Sequence, residues 1–366
     1  MKLRLDTSKT YAIALEGGGA KGAYEVGVWR ALDEAGVRFD AVAGTSVGAL
    51  NGAMMVMGEL EQALRLWENI RFSQVFDADD VQLKKLYDHK LSEVDFRTLF
   101  KDAMEAIHEG GLDIEPLRRL IAEWVDEEKI RSSPKKLFLV TYSLTDKREL
   151  DIDADELEEG KLRDMLLASA YVPLFQRKKL DGKDYVDGSV HNIVPISSLL
   201  ERGYRDIIVI RIFGVGFEKR TRIPEDANII TVAPRERLGG VLQFDAAQSR
   251  RLLQLGYFDG LRMLYGLAGE KYYIDRQWSE TEAYFALQEL CRLFIKEETP
   301  SLREMNETIL PKLAKHFKVK DGGYYDLLTA LLERLAERQG ISPFRVRTEK
   351  MLLTEIARGR QSRPLS

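Results

Sequence analysis

Residues 39–53, FDAVAGTSVGALNGA, contain the pentapeptide Gly44-Thr45-Ser46-Val47-Gly48, and their reading decides the fold. An apolar run ends at Gly44 and a run of Ala, Gly, Leu and Met begins at Val47. That pattern predicts a buried strand turning sharply into a helix. Such a turn forces the serine into a sparsely allowed backbone conformation, so its neighbours must be small. Gly44 and Gly48 meet that need, and Ala43, Ala49, Gly52 and Ala53 let the helix lie close to the strand. Ser46 then stands at the positive end of a helix, where developing negative charge is favoured. Read for chemistry, the segment is a nucleophile elbow; read structurally, it is a tight turn with a capping serine.

Upstream, TYAIAL (10–15) predicts a short buried strand running into Gly17-Gly18-Gly19, followed by a helix from about Ala23 that Gly36 closes. Strand, glycine-rich turn and helix, repeated twice, is the signature of parallel α/β architecture. Downstream, residues 60–134 read as a helical excursion, with ALRLWENI and PLRRLIAEWV amphipathic and Pro116 at a first helical position. Strands resume at 135–144, and Thr145-Asp146-Lys147 turns into RELDID as a hairpin. An acidic helical stretch, ADELEEGKLRDMLLASA, comes next. Two strands, Leu174 to Lys179 and Lys183 to Asp187, are expected about the Asp181-Gly182 turn. DIIVIRIF (206–213) and NIITVAP (228–234) read as further core strands, and beyond about 240 only helices are expected. The division expected is one α/β domain over 8–235 and a helical extension over 240–366.

Composition narrows the function classes. A formal charge of -4 over 366 residues provides no broad basic field, so nucleic acid is not expected as a partner. The single cysteine, Cys291, excludes an intramolecular disulfide and a cysteine metal site. The longest mostly apolar stretch, VGALNGAMMVMG at 47–58, falls short of the roughly 20 residues needed to span a bilayer. No apolar run of signal-peptide length precedes the first glycines. The expectation is a cytoplasmic protein whose membrane contact is at most peripheral; the sequence sets no oligomeric state.

The glycine loop EGGGAKG (16–22) satisfies G-x-G-x-x-G through Gly17, Gly19 and Gly22. A dinucleotide fingerprint also wants an acid at the end of the second strand, and the candidate, Asp40, stands at the start of its strand. No Lys-Ser or Lys-Thr follows the last glycine, so a P-loop fails too. The other use of such a loop is an anion hole built from backbone N–H groups beside Ser46. A serine also needs a base. His89, His108 and His316 lie in polar or helical surroundings, whereas His191 follows Asp187 closely in YVDGSVHN. Asp187 is the other candidate, provided desolvation beside an apolar pocket raises its pKa. Met54, Met55, Leu174 and Phe175 are candidates for that pocket.

EGGGAKG, GTSVGALNGA, LLASAYVPLF and DGSVHNIVP, in that order, resemble the patatin-like phospholipase family over roughly residues 10–215. The resemblance implies a three-layer α/β/α sandwich with a mostly parallel sheet. It also implies a Ser–Asp dyad that hydrolyses acyl esters of lipids or phospholipids with neither metal nor cofactor. Ser46 matches the nucleophile and Asp187 the general base. Gly17, Gly18 and Gly19 match the oxyanion loop, with Lys21 and Gly22 closing that motif; Gly44, Gly48 and Gly188 match motif glycines. Two positions depart from the usual pattern: Glu16 stands where Asp is common, and Ser189 where Gly or Ala is usual. An α/β-hydrolase triad of Ser46, Asp187 and a histidine is a second reading, although that fold places several strands before its elbow. A third is a lipid-binding scaffold without catalysis.

Overall fold

The computed structural model describes residues 1–77, 111–294, 300–319 and 322–361. Of the helical excursion expected at 60–134, residues 78–110, with His89 and His108, lie outside the described residues, and the rest carries the helices Leu60–Asn69, Glu115–Trp124 and Glu127–Ser132. Contacts divide the chain into two compact units, Asp6–Gly260 and Leu261–Ser366 with Met1–Leu5.

The larger unit is built on a sheet of β1 (Thr10–Leu15), β2 (Arg38–Thr45), β3 (Lys136–Ser143), β4 (Arg148–Asp153), β5 (Tyr185–Asp187), β6 (Asp206–Ile210) and β7 (Asn228–Val232). Its order is β4-β3-β2-β1-β6-β7, with β5 also paired to β3. The β1–β2, β2–β3, β1–β6 and β6–β7 pairs are parallel, and β4 and β5 run antiparallel to β3.

The central strands are apolar throughout because both faces are covered. On one face Ala12, Ala14, Ala41, Ala43, Ile207 and Val209 pack with Leu199 and Leu200, which are carried on the helix Ile196–Glu201. On the other, α2 (Val47–Met57) lies on β1, β2 and β3 so closely that a Cβ on Gly52 would meet Val42, Leu137 and Leu15. The result is the expected three-layer α/β/α sandwich. The first helix, α1 (Ala23–Glu34), crosses the helix Ala246–Tyr265 at Gly27 and Gly256, and Tyr24 donates to Asp259 at 2.9 Å. Residues 246–260 therefore pack with the α/β unit, so the boundary in the contacts lies nearer 260 than the expected 235–240.

Three stretches differ from expectation. Leu174–Lys179 forms no strand: Phe175 makes one bridge to Leu112, and Leu180 one to Lys183. Gln176 to Lys179 are all exposed, so the segment has no apolar face to bury in a sheet. The Asp181-Gly182 turn does form, with both residues at positive φ, and only Tyr185–Asp187 beyond it joins the sheet. In the acidic stretch Gly160, at φ 84°, separates a short turn at Ala154–Glu156 from the helix Leu162–Ser169. In the smaller unit, Tyr273–Asp275 and Val346–Thr348 pair as parallel strands among the expected helices. Three-residue strands are too short to show an alternating pattern. That unit has a core of its own, in which Leu287, Leu328, Leu332, Leu352 and the buried Cys291 meet.

Candidate active site

The site is made by strand order. β2 ends at Thr45, opposite Val140 of β3, and the next residue on β3, Thr141, pairs with Asp187 of β5. β5 thus continues the line that β2 vacates, and Ser46 turns off just where Asp187 arrives. Ser169 ties the Ser46 turn to β3: its hydroxyl accepts the Ser46 N–H at 2.9 Å and donates to Val140 O at 2.6 Å. Ser46 takes φ 55° and ψ -125°, the strained turn expected of an elbow, and is 6% exposed. The turn closes only because Gly44 and Gly48 lack side chains, since a Cβ on Gly44 would lie 2.3 Å from the Gly48 backbone.

Asp187 is 3% exposed. Burial pushes its carboxyl above the usual aspartate range, and hydrogen bonding from the Ser46 hydroxyl and from Ser189 works against that rise. The Ser189 N–H donates to Asp187 Oδ1 at 2.8 Å, and the Asp187 N–H to Tyr171 O at 2.8 Å. His191 lies apart from this pair: its Nδ1 meets the Glu149 carboxylate and its ring stacks on Tyr142. His316, on the helix Leu310–Phe317 of the smaller unit, is exposed.

The glycine loop lies against both side chains. A Cβ on Gly17 would fall 3.3 Å from Ser46 Cβ and 2.5 Å from Ser189 Oγ. The three amides are not equivalent, because the Gly17 N–H donates to Ile193 O at 3.0 Å. Among the described residues, those of Gly18 and Gly19 have no backbone acceptor. Gly19 has φ 55°, and a Cβ there would sit 2.1 Å from Val241 O.

Glu16 supports this loop far more than its sequence position suggested. Glu16 is 1% exposed, and its carboxylate accepts from Ile212 N at 2.8 Å, Phe213 N at 3.1 Å, Gly214 N at 3.1 Å and Arg211 Nε at 2.8 Å. Lys21 donates to Phe213 O, and burial lowers its ammonium pKa. The loop after β6 is thereby tied to both ends of EGGGAK. Ser169 and Glu16 both fall within motif stretches, but their roles arise from contacts that sequence spacing does not show.

From Ser46 and Gly19 an apolar cavity opens, with about 670 Å³ of free space that is partly open to solvent. Met54, Trp67, Phe76, Leu117, Phe175 and Phe244 form much of its wall. Met54 and Phe175 line it as expected, whereas Met55 and Leu174 are core residues outside the lining. Asn51, also part of the wall, donates to Glu25 Oε2 at 2.8 Å and to Gly22 O at 3.0 Å, and accepts from Trp67 Nε1 at 3.0 Å. Glu25 is buried, one of its oxygens has no hydrogen-bond partner among the described residues, and burial raises its pKa well above the usual range. Among the described residues no group of three or more His, Cys, Asp and Glu is placed to hold a metal, and no helix is long and apolar enough to cross a membrane.

Comparison with known proteins places these features. Human patatin-like phospholipase domain-containing protein 6 is 51% identical over 51 residues, which are 14% of this chain and 4% of that protein. Lysophospholipase nte1 of Aspergillus terreus is 50% identical over 46 residues, 13% of this chain and 3% of that one. The matched segments thus span only a small fraction of those relatives' lengths. Among solved structures, VipD of Legionella pneumophila aligns with a TM-score of 0.43 at 13% identity, covering 98% of this chain and 88% of that one. The Patatin model, described as patatin-like phospholipase, matches residues 13–200, a stretch that runs from β1 through the elbow and Asp187. With just over half of its length so matched, the chain belongs to the patatin-like phospholipase family.

Proposed function

We propose that the protein is a serine-dependent lipid acyl hydrolase that works through Ser46 and Asp187. The observation that carries this reading is the Ser46 hydroxyl hydrogen-bonded to the buried Asp187 carboxyl where β2 and β5 meet, with Ser46 lining an apolar cavity. The acyl chain of an ester lies in the cavity, with its carbonyl carbon facing Ser46 Oγ. Ser46 Oγ attacks as its proton passes to Asp187, whose raised pKa suits the task. The carbonyl oxygen becomes an oxyanion held by the Gly18 and Gly19 N–H groups, and the positive end of α2 adds to the field. The tetrahedral intermediate expels the alcohol, which takes the proton from Asp187. Water, deprotonated by Asp187, then attacks the acyl-serine; the proton returns to Ser46 and the fatty acid leaves.

The test is kinetic. Ser46→Ala and Asp187→Asn are each expected to reduce ester hydrolysis by at least about a thousand-fold while the protein stays folded by circular dichroism. His191→Ala should retain most activity, because its ring is engaged with Glu149 and Tyr142. A histidine effect as large as the serine effect would replace the dyad with a triad.

A further inference from the structure

We propose that the segment 213–223, together with Val190, docks the α/β unit onto an anionic phospholipid bilayer; this rests on the lipid-ester reading above. Among the described residues of Asp6–Gly260, the large apolar side chains exposed to solvent are Val190, Phe213, Phe217 and Ile223, at 46, 53, 59 and 43%. Val190, Phe213 and Phe217 lie at the edge of the site, and Ile223 follows them on the same segment. The Phe217 N–H donates to Ser189 O at 2.7 Å, and Phe217 O accepts from Ile193 N at 2.8 Å, so Phe217 runs alongside the turn that follows Asp187. Gly214 presses on the glycine loop so closely that a Cβ would fall 1.8 Å from Gly17 O. Phe213 has φ 47°, a left-handed conformation that costs energy in a bulky residue. Its N–H is held by Glu16 and its carbonyl by Lys21, which fixes the backbone while the ring remains exposed.

Charge selects the partner. Within 213–223 the basic residues are Lys219, Arg220 and Arg222, and the single acid is Glu218. Glu218 is taken by Arg211 at 2.9 Å, and Lys219 reaches Glu149 at 3.3 Å. Arg220 and Arg222 are exposed and have no ion-pair partner among the described residues. Exposed aromatic and branched side chains flanked by unpaired arginines suit a lipid interface, where the apolar groups insert and the cations meet headgroup phosphates. A bilayer held there adjoins both the oxyanion loop and the base, the place where a lipid ester has to arrive.

The full chain carrying Ser46→Ala, which separates binding from turnover, is floated with vesicles of phosphatidylcholine alone and of equal parts phosphatidylcholine and phosphatidylglycerol. Binding is expected to the mixed vesicles and to weaken as salt rises. Each basic residue at an anionic surface contributes roughly five-fold, so Arg220→Ala with Arg222→Ala should weaken partition roughly 25-fold. Phe217→Ser should weaken it about ten-fold. With Ser46 present, the same changes should leave hydrolysis of soluble p-nitrophenyl butyrate unaltered. Equal binding to both vesicle types, binding indifferent to these substitutions, or parallel loss of soluble-ester hydrolysis each overturns the docking proposal. If the unsubstituted protein fails to hydrolyse p-nitrophenyl butyrate, the esterase reading falls, and the vesicle measurement still decides docking.

Discussion

Asp187 is where local environment does most to set the chemistry. Only the ionised carboxylate can take a proton, so activity is present above its folded pKa and lost below it. Burial raises that pKa, which puts the acid limb of kcat/KM above the usual aspartate value of 3.8. Ser189 pulls the other way by hydrogen bonding to the carboxylate. Ser189→Gly is therefore expected to move the acid limb to higher pH, and an unmoved or lowered limb in the pH–rate profile would count against this account. Glu16 is the second such residue. Glu16→Gln keeps the shape but withdraws the charge from Arg211 and three N–H donors, loosening the strand of chain against Gly17 and Gly18. A fall in kcat of about ten-fold or more is expected, as for weakened oxyanion donors.

At the level of elements, the close fit of α2 on the sheet holds Ser46 in its strained turn. A Cβ on Gly48 would meet Leu15 O at 2.6 Å, so Gly48→Ala should cost about 3 kcal/mol or more, measurable by urea unfolding. Glu25 on α1 makes a pH prediction whose sign follows from linkage. A carboxyl with a raised folded pKa binds more protons folded than unfolded, so its contribution is fully present below the usual glutamate pKa. That contribution is lost as pH rises through the folded value. Glu25→Gln removes the dependence, and its melting temperature relative to wild type should increase from pH 4.5 to pH 8; a constant difference would contradict the assignment. The elements that form the site were legible because their signals are local: apolar runs ending at Gly44 and Leu15, with glycine at each turn. The β2–β5 continuation was not legible, because a three-residue strand ending at Asp187 acquires its meaning only from pairing with Thr141.

Across the molecule, sequence patterning described the α/β unit better than the remainder. Strands buried on both faces announce themselves as apolar runs, whereas the Leu174–Lys179 stretch looked extended but exposes its charged half. The cavity was the least legible feature, since its wall gathers Gly19 and residues from 46–76, 117–120, 170–175 and 241–244. Of four residues proposed from sequence to line it, two do. Leu50 lines this cavity from α2 and is half-buried, so Leu50→Trp should place its added bulk in the acyl space. The expected result is about a ten-fold loss of kcat/KM for long-chain p-nitrophenyl esters with little change for the butyrate. The central claim, that Ser46 is a nucleophile activated by Asp187, meets its most direct test in covalent labelling. A fluorophosphonate probe followed by peptide mapping should place the adduct on Ser46 and lose it in Asp187→Asn; folded protein with no adduct on Ser46 would contradict the account.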